Sequence, residues 1–242
     1  MKKEFPYIDF TTSNSKWNKT KFPYRVKSIS ASKWYQEKGH EVIEVTDMQE
    51  GKRFNMATIR LKKPEGTIYT NKITFSAPVA EGLCLRRYNG EVQICILLQT
   101  RTPYSVEVGA KKYARAFQEM VGGLANEGET LEETAVREIK EETGYVVKEL
   151  HKLVSPLIHK HISYTDETSL LFYAIVEEFK GQNLDENEAI QTNWYSLSRV
   201  EQKFEDYLDG RSEDFFGFDM SEMLILALQR FFVKYHRGEI EI

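Results

Sequence analysis

A chain of 242 residues, 41% hydrophobic and 29% charged with a formal net charge of −4, is long enough for one large domain or a core with a smaller attachment. The negative balance excludes a general binder of nucleic acid or acidic membranes, so an anionic substrate needs a metal ion or a local basic cluster. No apolar segment follows Met1-Lys2-Lys3 and no stretch reaches the length of a membrane span, so a cytoplasmic protein without a membrane partner is expected.

Residues 1 to about 38 are polar but carry Phe5, Trp17, Phe22 and Trp34 among other aromatics. That composition argues for an arm that packs on its own core or on a partner subunit. Glu41 to Val45 is a short candidate strand. Phe54 to Leu61 and Thr67 to Phe75 flank the turn signal Lys63-Pro64-Glu65-Gly66 and read as a β-hairpin. Val79 to Arg86 and Val92 to Gln99, joined across Tyr88-Asn89-Gly90-Glu91, are the next two strands. Cys84 and Cys95 lie within them and read as reduced core thiols. Residues 102 to 117, with Lys111, Lys112 and Arg115, read as an extended segment, either a loop approaching phosphate or a solvated insertion.

The next stretch, Gly123 to Tyr145, is the most informative. Thr130 with Glu133 three residues on is a capping-box pattern, and Gly144 sits where a left-handed C-terminal cap favours glycine, predicting a helix over about 130–143. Leu131, Ala135 and Ile139 give it a buried stripe, and Glu138, Glu141 and Glu142 fall at i, i+3 and i+4 on a neighbouring face. Clustered carboxylates either form a solvated acidic face or suit a hard divalent cation such as Mg²⁺ or Mn²⁺. Further on, Val146 to Val154 and Leu170 to Val176 are strand-like, and His159 and His161 read as ordinary histidines. An acidic loop and a strand through Ile190 and Trp194 follow, with Trp194 packing in the core, and an apolar-faced helix over about 221–236 closes the chain.

Gly123, Glu129, Arg137-Glu138-Ile139, Glu141-Glu142 and Gly144, at these spacings, resemble the Nudix box. The final position departs from the pattern, with Tyr145 in place of Ile, Leu or Val. The resemblance implies an α/β (α+β) fold: a Nudix-type α/β/α sandwich with a mixed sheet, plus a small N-terminal antiparallel β-sheet. The expected division is 1–76, arm and small sheet serving dimerisation, and 77–242, the Nudix domain with its C-terminal helix. The layout is most similar to the branch that hydrolyses ADP-ribose and related nucleotide sugars.

That resemblance implies a small-molecule nucleotide diphosphate as substrate, a homodimer, and Mg²⁺ or Mn²⁺ held by Glu138, Glu141 and Glu142 with help from Glu119. Arg101, at a strand end, is expected to reach the diphosphate, and Gly122 or Gly123 to contribute backbone. Glu129 and Arg137 would brace the loop and helix. Glu167 is the expected base or water-positioning group, with Asp166 as the fallback and Glu142 as the rival. The alternatives are a hydrolase of another diphosphate (a nucleoside triphosphate, a dinucleoside polyphosphate or a coenzyme) and a binding module that has lost activity.

Overall fold

From Glu41 to Leu124, β-branched and aromatic runs separated by short turns become strands among the described residues. The computed structural model describes residues 41–50, 54–108, 111–155, 157–160, 165, 167–184 and 189–242. The aromatic arm, His161, Asp166 and Glu188 lie outside them. The described residues fall into two compact units, one drawn from 1–80, 124–134 and 156–170, the other from 81–123, 135–155 and 171–242.

In the first unit β1 (Glu41–Glu50), β2 (Phe54–Lys62) and β3 (Ile68–Ser76) form a three-stranded antiparallel sheet in chain order. The expected hairpin is present: Lys62 pairs with Ile68, and the Gly66 N–H donates to the Lys63 carbonyl at 2.8 Å across the turn. Ala57 and Ile59 are buried while Met56 and Arg60 are exposed, the alternation of a strand with one covered face. β9 (Ile158–His159) pairs antiparallel with the start of β10 (Thr168–Phe179) at Thr168 and Ser169.

The larger sheet runs β12-β6-β5-β4-β10-β8, with β11 also on β5, where β4 is Val79–Tyr88, β5 Glu91–Val108, β6 Lys111–Glu119, β8 Tyr145–Lys152, β11 Ile190–Ser196 and β12 Asp219–Met220. The sheet is mixed, since β12 runs parallel to β6 while β5 is antiparallel to β4, β6 and β11. β5 is its centre. One edge holds β11 along residues 93–99, and the other is shared end to end, by β4 at 91–94 and by β6 from Leu97 onward. The short β7 (Val121–Leu124) pairs with β4. Leu83 to Leu85, Ile94 to Leu97 and Leu171 to Phe172 are buried, so the central strands read as near-continuous apolar runs because both faces are covered. Among the described residues three helices accompany them: α1 (Leu131–Thr143), α2 (Leu197–Leu208) and α3 (Glu222–His236). The architecture is the mixed α/β fold with a small antiparallel N-terminal sheet that the sequence implies.

Two readings of the sequence need correction. Of the two readings of 102–117, the loop is the one to correct: among the described residues β5 continues to Val108 and β6 begins at Lys111, paired from Leu97↔Glu119 to Val108↔Lys111 with an irregularity between Arg101 and Ser105. Backbone pairing between the two strands supplies the order that Pro103, Gly109 and the Lys111-Lys112 pair do not announce. The second is α2, which the sequence reading passes over. Its buried residues Leu197, Val200 and Phe204 follow helical spacing, but the helix starts directly where β11 ends.

Tyr145, the residue that departs from the box, has a specific role in packing. Its hydroxyl accepts from Arg86 Nη1, and Arg86 Nε donates to Gln93 Oε1 at 2.9 Å. The guanidinium lies 4.2 Å from the Trp194 ring centroid and 4.8 Å from that of Tyr88, while Tyr145 meets Trp194 edge-on at 5.2 Å. Trp194 is half-buried and stacked against a cation rather than a simple core residue. Tyr145→Phe keeps the ring and removes the acceptor, so it is expected to cost about 1–2 kcal/mol in urea unfolding, with catalysis unchanged.

Candidate active site

The candidate site is organised around α1, whose ends are fixed by local chemistry. At the start, the Glu133 N–H donates to Thr130 Oγ1 at 3.1 Å and the Thr130 N–H to Glu133 Oε2 at 2.8 Å, the reciprocal bonds of a capping box. Glu129 ties the preceding loop to the first turn: it accepts from the Asn126 N–H at 2.8 Å and from Thr134 Oγ1 at 3.1 Å. At the other end Gly144 has φ +75°, a left-handed conformation that ends the helix, and its N–H reaches the Lys140 carbonyl at 3.0 Å.

Between these ends the acidic residues meet partners of opposite charge or free N–H groups. Arg137 Nη1 donates to Glu138 Oε1 at 2.7 Å and to Glu141 Oε2 at 2.9 Å, so two carboxylates share one nitrogen. Glu142 is 4% exposed, and its Oε2 accepts from the Gly122 N–H of β7 at 2.9 Å. Gly123, the next residue, passes so near Glu138 that an added Cβ would lie 2.1 Å from Oε1. The β7 backbone therefore runs against the carboxylates of Glu138 and Glu142.

The sheet brings a further pair to the same region. Arg101 at the bend in β5 donates through Nε to Glu119 Oε1 at 2.8 Å and through Nη2 to Oε2, a bidentate pair. These bonds hold the guanidinium above its ordinary pKa; burial opposes the rise, and the negative charges of Glu119, Glu142 and Glu81 add to it. Arg101 is thus within electrostatic reach of Glu142, and Glu81 on β4 joins the group. No sequence pattern singles Glu81 out.

Cys84 and Cys95 are free and buried. Burial first, and then nearby negative charge including Glu142, pushes both thiols well above the usual range and leaves them unreactive.

Glu167 belongs to the first unit, where its Oε1 lies 3.4 Å from Lys160 Nζ and its carbonyl accepts from the Lys160 N–H at 3.0 Å. Lys160 is a partner that the sequence reading does not anticipate. Arg101, Glu119, Gly122, Gly123, Arg137, Glu138, Glu141 and Glu142 all belong to the second unit, and Glu129 to the first.

Among the described residues, no group of three or more His, Cys, Asp or Glu side chains is drawn together as a metal cage. The donor set is nonetheless of one kind. It consists of carboxylates on one helix face, a bidentate-held carboxylate on β6 and the backbone of β7, hard oxygen donors with no sulfur or imidazole among them, which fits Mg²⁺ or Mn²⁺ in chemistry.

The model of the NUDIX domain matches residues 78–213, more than half of the chain. The chain belongs to the NUDIX family. In fold, this NUDIX chain resembles the crystal structure of an ADP compounds hydrolase, with a TM-score of 0.57 and 16% identity over 84% of this chain and 97% of that one. In sequence it is 27% identical over 114 residues to the NAD-capped RNA hydrolase NudC of Salmonella agona (strain SL483), of Enterobacter sp. (strain 638) and of Escherichia coli (strain SMS-3-5 / SECEC). Each match covers 46% of this chain and 42% of the relative, so the chain spans less than half the length of these curated relatives. No helix among the described residues is long and apolar enough to cross a membrane.

Proposed function

We propose that this NUDIX chain hydrolyses a nucleoside diphosphate linked to another moiety, with ADP-ribose or a related nucleotide sugar as the substrate class, yielding a nucleoside monophosphate and a sugar phosphate. The observation that carries this reading is the meeting of the Glu138 and Glu142 carboxylates with the β7 backbone, beside the shared Arg137 nitrogen.

A diphosphate resists attack because its oxygens repel a nucleophile. A divalent cation held by Glu138, Glu141, Glu142 and Glu119 would neutralise those oxygens and make water more acidic. Arg137 keeps Glu138 and Glu141 in place, and Glu129 fixes the turn from which α1 starts. Arg101, whose Nε and Nη2 are paired with Glu119, would offer the diphosphate its remaining guanidinium N–H groups. Glu167 is the proposed base: it takes the proton as the water oxygen bonds to phosphorus, the bridging P–O bond breaks, and the electron pair leaves with the departing phosphate. Asp166 is the fallback and Glu142 the rival for this role. A homodimer through the N-terminal portion and a cytoplasmic location belong to the same proposal.

A second reading is favoured by the curated relatives, whose name concerns NAD-capped RNA: the diphosphate would then be that of a dinucleotide. The experiment is a substrate panel of ADP-ribose, ATP, a diadenosine polyphosphate, NAD, coenzyme A and NAD-capped RNA with Mg²⁺, read by phosphorus NMR. ADP-ribose is expected to turn over fastest. Fastest turnover of NAD or capped RNA selects the second reading, and no turnover of any diphosphate sinks the enzyme. With the best substrate, Glu167→Gln is expected to lower kcat by about a hundredfold or more, and full activity moves the base elsewhere.

A further inference from the structure

The last turn of any helix leaves carbonyl oxygens without partners inside the helix. In α1 this falls on the residues whose carboxylates make the candidate site. The Asn183 N–H donates to the Glu141 carbonyl at 3.0 Å, and the Lys180 N–H to the Gly144 carbonyl at 2.7 Å. Two side chains take the Glu142 carbonyl: Gln182 through Nε2, and Thr192 through Oγ1 at 3.1 Å. Gln182 Nε2 also donates to Thr192 Oγ1 at 2.7 Å, closing a three-membered polar clip. Because the Glu142 carboxylate accepts from the Gly122 N–H, this residue is held at both its backbone and its side chain.

The clip is anchored in the row of the sheet that also carries Glu119. Thr192 on β11 pairs with Leu97 on β5, and Leu97 pairs with Glu119 on β6. Directly opposed residues share a face, and two strand spacings, about 10 Å, separate the outer members of such a row. A hydroxyl that ties the Glu142 carbonyl to this row therefore sets where the end of α1 stands relative to Glu119.

We propose that Gln182 and Thr192 are positioning residues for the metal-binding carboxylates. By clipping the Glu142 carbonyl they lock the last turn of α1 and fix Glu141 and Glu142 against Glu119. The inference rests on the metal-dependent reading above. Neither side chain is assigned a contact with the reacting atoms, and both act through cation affinity.

The test titrates Mn²⁺ into the full chain by electron paramagnetic resonance and records metal-free thermal unfolding alongside. Combining Thr192→Val with Gln182→Ala is expected to weaken Mn²⁺ binding about tenfold or more, while Thr192→Ser, which keeps the hydroxyl, stays within about twofold of wild type. Lower unfolding temperature with unchanged Mn²⁺ affinity overturns the proposal, since that is the behaviour of a cap that only holds a helix. Equal losses in Thr192→Ser and Thr192→Val also overturn it. If the double variant does not fold, Gln182→Ala alone carries the measurement, because that side chain is exposed. Wild-type protein that binds no Mn²⁺ overturns this proposal together with the reading beneath it; wild-type binding with unaltered variants overturns this one alone.

Discussion

Glu142→Gln is expected to lower diphosphate hydrolysis by at least about a thousandfold at saturating Mg²⁺, the equivalent of roughly 4 kcal/mol in the barrier. The size follows from the position. Glu142 is 4% exposed, and its carboxylate sits against the Gly122 N–H at 2.9 Å, in surroundings where a charge acts with little screening by water. Gln keeps the shape and one acceptor oxygen but removes the charge that a cation would meet. Stability should move the other way or not at all, because burying a carboxylate costs free energy that a neutral amide does not incur. The check is initial rates paired with metal-free thermal unfolding. Activity within tenfold of wild type would remove Glu142 from the proposed chemistry, and loss of activity through unfolding would show as a lowered melting temperature.

How much of this was legible in the sequence depends on how local each signal is. The start of α1 is written in Thr130 and Glu133, which bond each other, and its end in Gly144, which takes the left-handed conformation; a reader of sequence needs only neighbouring residues. The β2–β3 hairpin is similarly legible from its turn. The β5–β6 ribbon is harder to read: Tyr104, Val106 and Val108 alternate with Ser105 and Glu107, but the run also holds Pro103, Gly109 and the Lys111-Lys112 pair, and what orders it is pairing to another strand. The partners of the candidate site are harder still. Gln182 and Thr192 meet a backbone carbonyl 40 and 50 positions away, and a carbonyl leaves no mark in sequence. Glu81 and Lys160 belong to the same class: each gains meaning only from the charge that folding sets near it. Motif spacing thus records the chemistry of the helix, while the scaffold that aims it is recorded in contacts between distant segments.

Gly123→Ala is expected to cut hydrolysis by about a hundredfold and to raise the Mg²⁺ concentration needed for half-maximal rate, with little loss of stability. An added Cβ would lie 2.1 Å from Glu138 Oε1, 2.4 Å from its carboxyl carbon and 2.8 Å from Oε2, far inside van der Waals contact, so the carboxylate has to leave its position. It cannot leave alone, because Arg137 Nη1 holds Glu138 at 2.7 Å and Glu141 at 2.9 Å. Moving one therefore disturbs the other. The backbone itself tolerates alanine, since Gly123 is not among the glycines with positive φ, and removing glycine's freedom in the unfolded chain offsets part of the strain. The clash is with the end of a flexible side chain, which can swing away at small cost to the fold but not without displacing a proposed ligand. Mg²⁺-dependence of the initial rate, measured beside urea unfolding, separates these effects. Wild-type rates with an unshifted Mg²⁺ requirement would mean that Glu138 is not held where the chemistry needs it.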